Sequence, residues 1–65
     1  MISYEPFRIF AMRSGKKRSD FMAECGFSKT TWEKIRNDKN VGVDILEKIC
    51  VTYGLKIEEV VRIES

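Results

Sequence analysis

The chain contains no histidine. That absence removes the most common general base and the most common metal-binding side chain together. It holds two cysteines, Cys25 and Cys50, which cannot complete a four-ligand zinc site without histidine. Both sit among apolar positions of helical pattern, so two buried free thiols in a reducing, cytoplasmic compartment are expected. The other arrangement is a single disulfide, which no secretory signal supports: the N-terminus lacks a charged region followed by an apolar stretch. No apolar run approaches the ~18 residues of a membrane span. Net charge is also scarce, at +2.

What is present is a 65-residue chain, 43% hydrophobic and 34% charged. That balance excludes a disordered tail. The length predicts one domain over residues 1–65 with no linker. A chain this short buries only about 60% of the surface its unfolded form exposes. A deep catalytic cleft is therefore not expected. With no histidine beside either cysteine and no paired carboxylates in a predictable cleft, the sequence points to a non-enzyme needing no cofactor, metal or small-molecule ligand.

The charge is unevenly spread. Arg13 to Arg36 carries seven basic residues against three acidic, a local +4, whereas Val41 to Ser65 carries three against five, a local −2. One part of the chain suits a polyanion and the other does not.

Four glycines, Gly15, Gly26, Gly42 and Gly54, separate segments of helical periodicity. The first helix is expected from about Pro6, a residue suited to the first helical position, to Arg13, with Phe7, Phe10 and Ala11 inward. The second runs from Lys17 to Cys25 and buries Phe21, Met22 and Cys25. Ser28 is a good N-cap for a third helix, Lys29 to about Arg36, in which only Trp32 and Ile35 are apolar. Asn37 to Asn40 reads as a polar turn. The fourth helix, Val43 to Tyr53, buries Leu46, Ile49, Cys50 and Tyr53. A short fifth helix is expected over Ile57 to Val60. Ile2 and Tyr4, and Val61 and Ile63, alternate with polar neighbours, so a short antiparallel pair between the termini is anticipated.

The informative stretch is about residues 17–37: a helix, a Gly-Phe-Ser turn, then a helix with a polar outer face. Two helices joined by a tight glycine-containing turn form a helix-turn-helix. Gly26 permits a turn that a Cβ would strain. Phe27 plugs the corner, and Trp32 and Ile35 anchor the second helix to the core.

The run from Gly15 to Val61 resembles the Cro/C1-type, phage repressor-like helix-turn-helix domain. The resemblance rests on Gly26, Phe27, Ser28, Thr31, Trp32 and Ile35 around the turn, and on Leu46, Lys48, Ile49 and the break at Gly54. Three positions depart from the family pattern. Arg18 stands where glutamine is frequent, Met22 where a small alanine is usual, and Arg36 where glutamate is common. The resemblance implies an all-α, five-helix bundle of the lambda-repressor type. It implies that helix 29–36 enters the major groove of double-stranded DNA. On that basis Lys29, Thr30, Glu33 and Lys34 are expected at base edges, and Lys17, Arg18, Ser28, Asn37, Lys39 and Asn40 at phosphates. For Arg18 an ion pair with Asp20 or Glu24 is the competing role. The expected function is transcriptional regulation, repression above activation, by a cytoplasmic protein that is nucleoid-associated or encoded by a phage or mobile element. So small a module is expected to act as a weak or DNA-assisted homodimer. The alternative is a protein-interaction module on the same fold, antitoxin-like or an anti-regulator, that does not bind DNA.

Overall fold

The computed structural model describes residues 1–64; Ser65, the last residue of the expected domain, lies outside them. The element order is β1 (Ile2–Ser3), α1 (Glu5–Ser14), α2 (Arg18–Cys25), α3 (Lys29–Arg36), α4 (Val43–Tyr53), a 3₁₀ turn (Ile57–Glu59) and β2 (Arg62–Ile63). The fold is helical with one short antiparallel strand pair.

Local chemistry explains most boundaries. The Ser28 hydroxyl accepts the Thr31 N–H at 3.2 Å and so caps α3. At the start of α2 the Lys17 N–H donates to Asp20 Oδ2 at 2.9 Å, which supplies the cap that the lysines themselves cannot. Gly26, at φ 73°, turns the chain out of α2, and the Phe27 N–H then reaches the Met22 carbonyl at 2.9 Å.

The strands pair Ile2 with Ile63 and Ser3 with Arg62. Their pairing closes the two ends of the chain over α1. The Phe7 N–H, which has no partner within the first turn of its own helix, donates to the Val60 carbonyl at 3.3 Å. The fifth helix expected at Ile57–Val60 is reduced to a single 3₁₀ turn. Glu59 accepts the Lys56 N–H at 2.9 Å to open that turn. Val60 is then fully buried, and two residues later the chain is already paired in β2. No length remains for a second helical turn.

The core is Tyr4, Phe7, Phe21, Cys25, Phe27, Ile35, Ile49 and Val60. Phe21 is its centre. Its ring lies 5.6 Å from Phe7, 5.8 Å from Trp32 and 5.7 Å from Tyr53, so it joins α2 to α1, α3 and α4. Several expected core residues form a half-buried collar instead: Phe10, Met22, Trp32, Leu46, Cys50 and Tyr53. Short helices around a small core leave each large side chain one covered face. Both cysteines are free thiols, Cys25 buried and Cys50 half-buried. Tyr4, expected in a strand, lies just beyond β1 as the residue that caps α1, with its side chain wholly buried.

Candidate nucleic-acid interface

The position of α3 is fixed from behind by Ile35, which is 1% exposed, and by Trp32 stacked on Phe21. At about 100° per residue the residues opposite these face outward. Thr30, Glu33, Lys34, Asn37 and Lys39 line one shallow depression of about 310 Å³ on that outer side. Five of the ten sequence-predicted residues are thus brought together. Lys29 is exposed at the first position of α3 but lies outside the depression, as do Lys17, Ser28 and Asn40.

Arg18 opens α2 on the other flank of α3, where it shares a groove with Arg36. Neither competing ion pair forms. Glu24 holds Lys16 at 2.9 Å and Asp20 caps α2, so Arg18 has no ion-pair partner among the described residues. Two expected phosphate ligands have local structural tasks. The Ser28 hydroxyl is engaged with Thr31, and the Asn37 amide donates to the Glu33 carbonyl at 2.9 Å.

Sequence reasoning missed the device that fixes the end of α3. Asp38 adopts φ 56°, a left-handed conformation uncommon outside glycine. Around it the Lys39 N–H donates to the Lys34 carbonyl at 2.7 Å and the Asp38 N–H to the Ile35 carbonyl at 3.4 Å, a Schellman arrangement. The Asp38 carboxylate accepts the Tyr4 N–H at 2.8 Å and Arg8 Nη1 at 2.7 Å. The buried Tyr4 hydroxyl donates to the Lys39 carbonyl at 2.7 Å. The strand–helix corner at the N-terminus therefore clamps the chain as it leaves α3. Aspartate tolerates the left-handed region better than most residues, which is the one local signal; the partners lie thirty or more residues away.

The Arg8 hydrogen bond, with that of the Tyr4 N–H behind it, holds the Asp38 carboxyl below its ordinary 3.8. Its stabilising contribution is therefore complete above 3.8 and is lost as pH falls through the lowered native value. Asp38→Asn is expected to destabilise the fold at neutral pH, and to do so less in strong acid, where the parent carboxyl is protonated as well. Urea unfolding at the two pH values measures this, and an equal offset at both would contradict it. A second cluster joins α2 to α4: the Tyr53 hydroxyl and Lys16 Nζ both donate to Glu24 Oε1, at 2.7 and 2.9 Å. Those two hydrogen bonds lower the Glu24 pKa, while burial and the Glu24 contact raise that of Tyr53.

Two helices joined by a glycine turn, the second pinned by its inner face and polar on its outer face, define the helix-turn-helix class of DNA-binding proteins. A family model of the Cro/C1-type HTH DNA-binding domain matches residues 8–65, and the chain belongs to that family. It is a DNA-binding transcription regulator. Comparison with curated proteins gave no match, and neither did comparison with solved structures. No helix among the described residues is long and apolar enough to cross a membrane.

Proposed function

We propose that this protein is a sequence-specific repressor that lays α3 in the major groove of an operator and binds as a homodimer. The observation that carries the reading is the gathering of Thr30, Glu33, Lys34, Asn37 and Lys39 along the outer side of α3. In this reading Lys29 and Lys34 donate to guanine O6 and N7, Thr30 packs on a thymine methyl group, and Glu33 accepts from cytosine N4. Lys17, Arg18 and Lys39 hold phosphates by charge, and Ser28, Asn37 and Asn40 add neutral contacts that set register. The N-terminus of α2, where Lys17 and Arg18 sit, favours an anion through its dipole as well.

One module of this size covers roughly 600–1,000 Å² of DNA, which supports a second copy on a half-site about one helical turn away. The α4 surface suits such a contact. Val43 and Val51 are 80% and 76% exposed and lie two turns apart on one side of the helix. The outer edges of β1 and β2 offer another surface. Sedimentation equilibrium with and without duplex tests dimerisation.

Selection of bound fragments from a random duplex pool is the direct test of sequence preference. A folded protein that enriches nothing at moderate salt would sink this reading. On the selected site, Lys34→Ala is expected to cost roughly 1–3 kcal/mol and to relax preference at one base position. Arg18→Ala is expected to weaken all sequences alike and to reduce the salt slope by about 0.9 for each copy bound. Transcription from a promoter overlapping the site should fall as protein is added; a rise would identify an activator.

A further inference from the structure

A groove of about 440 Å³ lies between α1, the start of α2 and the inner flank of α3. That volume is within the ~300–1,000 Å³ range of small-molecule sites. Its floor is apolar. Phe7 and Ile35 close the bottom at 1% exposure each, with Ala11 and the half-buried ring of Trp32 beside them. One face of that ring is stacked on Phe21, so the indole is held in place.

The rim is made by Arg8, Arg18 and Arg36, and no acidic residue lines the groove. The three guanidinium groups are not equally committed. Arg8 is bound to Asp38 at 2.7 Å, and Arg36 is 4.0 Å from Glu33. Arg18 has neither an ion pair nor a side-chain hydrogen bond among the described residues. A free guanidinium offers paired donors matched to a carboxylate. Beside it lies an apolar surface of fixed shape. A simple inorganic anion would leave that surface wet, and a neutral apolar molecule would leave the arginines without a partner. An acid group joined to an apolar body satisfies both.

We propose that this groove binds a small amphipathic organic monoanion of the arylalkyl carboxylate class. Arg18 and Arg36 hold its carboxylate, and its apolar body lies against Trp32, Ala11 and Phe7. A consequence that rests on the DNA-binding reading follows. Arg18 cannot hold the ligand and a phosphate at once, so the ligand competes with DNA.

The test titrates 4-phenylbutyrate into the full chain without DNA at fixed ionic strength. Trp32 is the single tryptophan, so its emission reports the groove directly. A saturable change is expected, with Kd on the order of 1 mM or tighter for a ligand of this size. The neutral 4-phenylbutyramide is expected to bind about tenfold more weakly or worse. The double variant Arg18→Gln, Arg36→Gln alters two exposed side chains, so its melting curve should match the parent while its affinity for the acid falls about tenfold. A non-saturating signal, equal affinity for acid and amide, or unchanged binding by the folded double variant would each overturn the site. With a selected duplex present, the acid should raise the apparent Kd for DNA in step with occupancy of the groove. Saturation at Trp32 without any effect on DNA would overturn the competition alone. Failure to bind duplex in the absence of the acid would count against the DNA-binding reading, while the Trp32 titration still decides the groove.

Discussion

Phe21→Ala is expected to leave the protein largely unfolded at room temperature. Truncating a buried phenylalanine costs about 3–5 kcal/mol in transfer energy and residual cavity. Phe21 is 1% exposed, and its ring contacts aromatic residues from three other helices. The cavity would open where α1, α3 and α4 converge, and no single helix can move in to fill it without leaving the other two. A chain of this length holds roughly 3–10 kcal/mol in total at ~0.05–0.15 kcal/mol per residue. The loss is therefore comparable with the whole. In a circular-dichroism melt the midpoint should fall by ~20 °C or more, given about 4–8 °C per kcal/mol for a domain of this size. Phe21→Leu keeps most of the volume and should cost under about 2 kcal/mol. A Phe21→Ala melt within ~5 °C of the parent would show that the aromatic cluster does not hold the helices together. Trp32→Ala should cost less than Phe21→Ala, because Trp32 is half-buried at the rim of a groove.

Helix placement was legible because its signals are local. Ser28, Gly42 and Gly54 bound α3 and α4, and both helices begin and end where the sequence places them. The first two helices differ by a residue at one end or both. The terminal strand pair was also legible from period-two alternation, with one exception. Tyr4 continues the alternation in sequence but leaves the strand in space to reach Lys39. What the sequence hid were interactions between distant segments. Asp38 reads as one more polar turn residue until Tyr4 and Arg8 are seen to converge on it. Trp32 and Ile35 share an inward spacing, yet Ile35 is covered and Trp32 is not, because the neighbour of Trp32 on one side is a groove. Arg36 departs from the family pattern in sequence, but its place beside Arg18 depends on how α3 crosses the start of α2. The candidate interface divides the same way. Thr30, Glu33 and Lys34 are expected at base edges, and Asn37 at phosphates, through the family resemblance; the structure puts all four on one outer side of α3. Whether Ser28 and Asn37 have donors to spare for phosphates depends on bonds the sequence does not show: the Ser28 O–H donates to Thr31 Oγ1, and the Asn37 amide donates to the Glu33 carbonyl.

Duplex affinity is expected to fall steeply with salt, and the slope counts the copies bound. Lys17, Arg18, Lys29, Lys34 and Lys39 have no ion-pair partner among the described residues, so none must abandon an acid to meet DNA. Three of them, Lys17, Arg18 and Lys39, are the cations proposed to sit on phosphates. Each neutralised phosphate contributes about −0.9 to the log–log slope, giving about −2.7 for one protomer and about −5.4 for two. Raising salt from 50 to 200 mM would then weaken a single protomer roughly 40-fold and a dimer roughly 2,000-fold. The acidic C-terminal stretch, at −2, gives no reason for further phosphate contacts there. Fluorescence anisotropy with a labelled selected duplex over that salt range measures the slope. A value near −2.7 would mean that one copy suffices and would overturn the dimer. A value near zero would overturn the phosphate contacts altogether, and it is what an interaction module that had lost DNA binding would give. Arg18→Ala and Lys39→Ala separate the contributions. In a dimer each substitution occurs twice, so each should flatten the slope by about 1.8, whereas in a monomer the change is about 0.9.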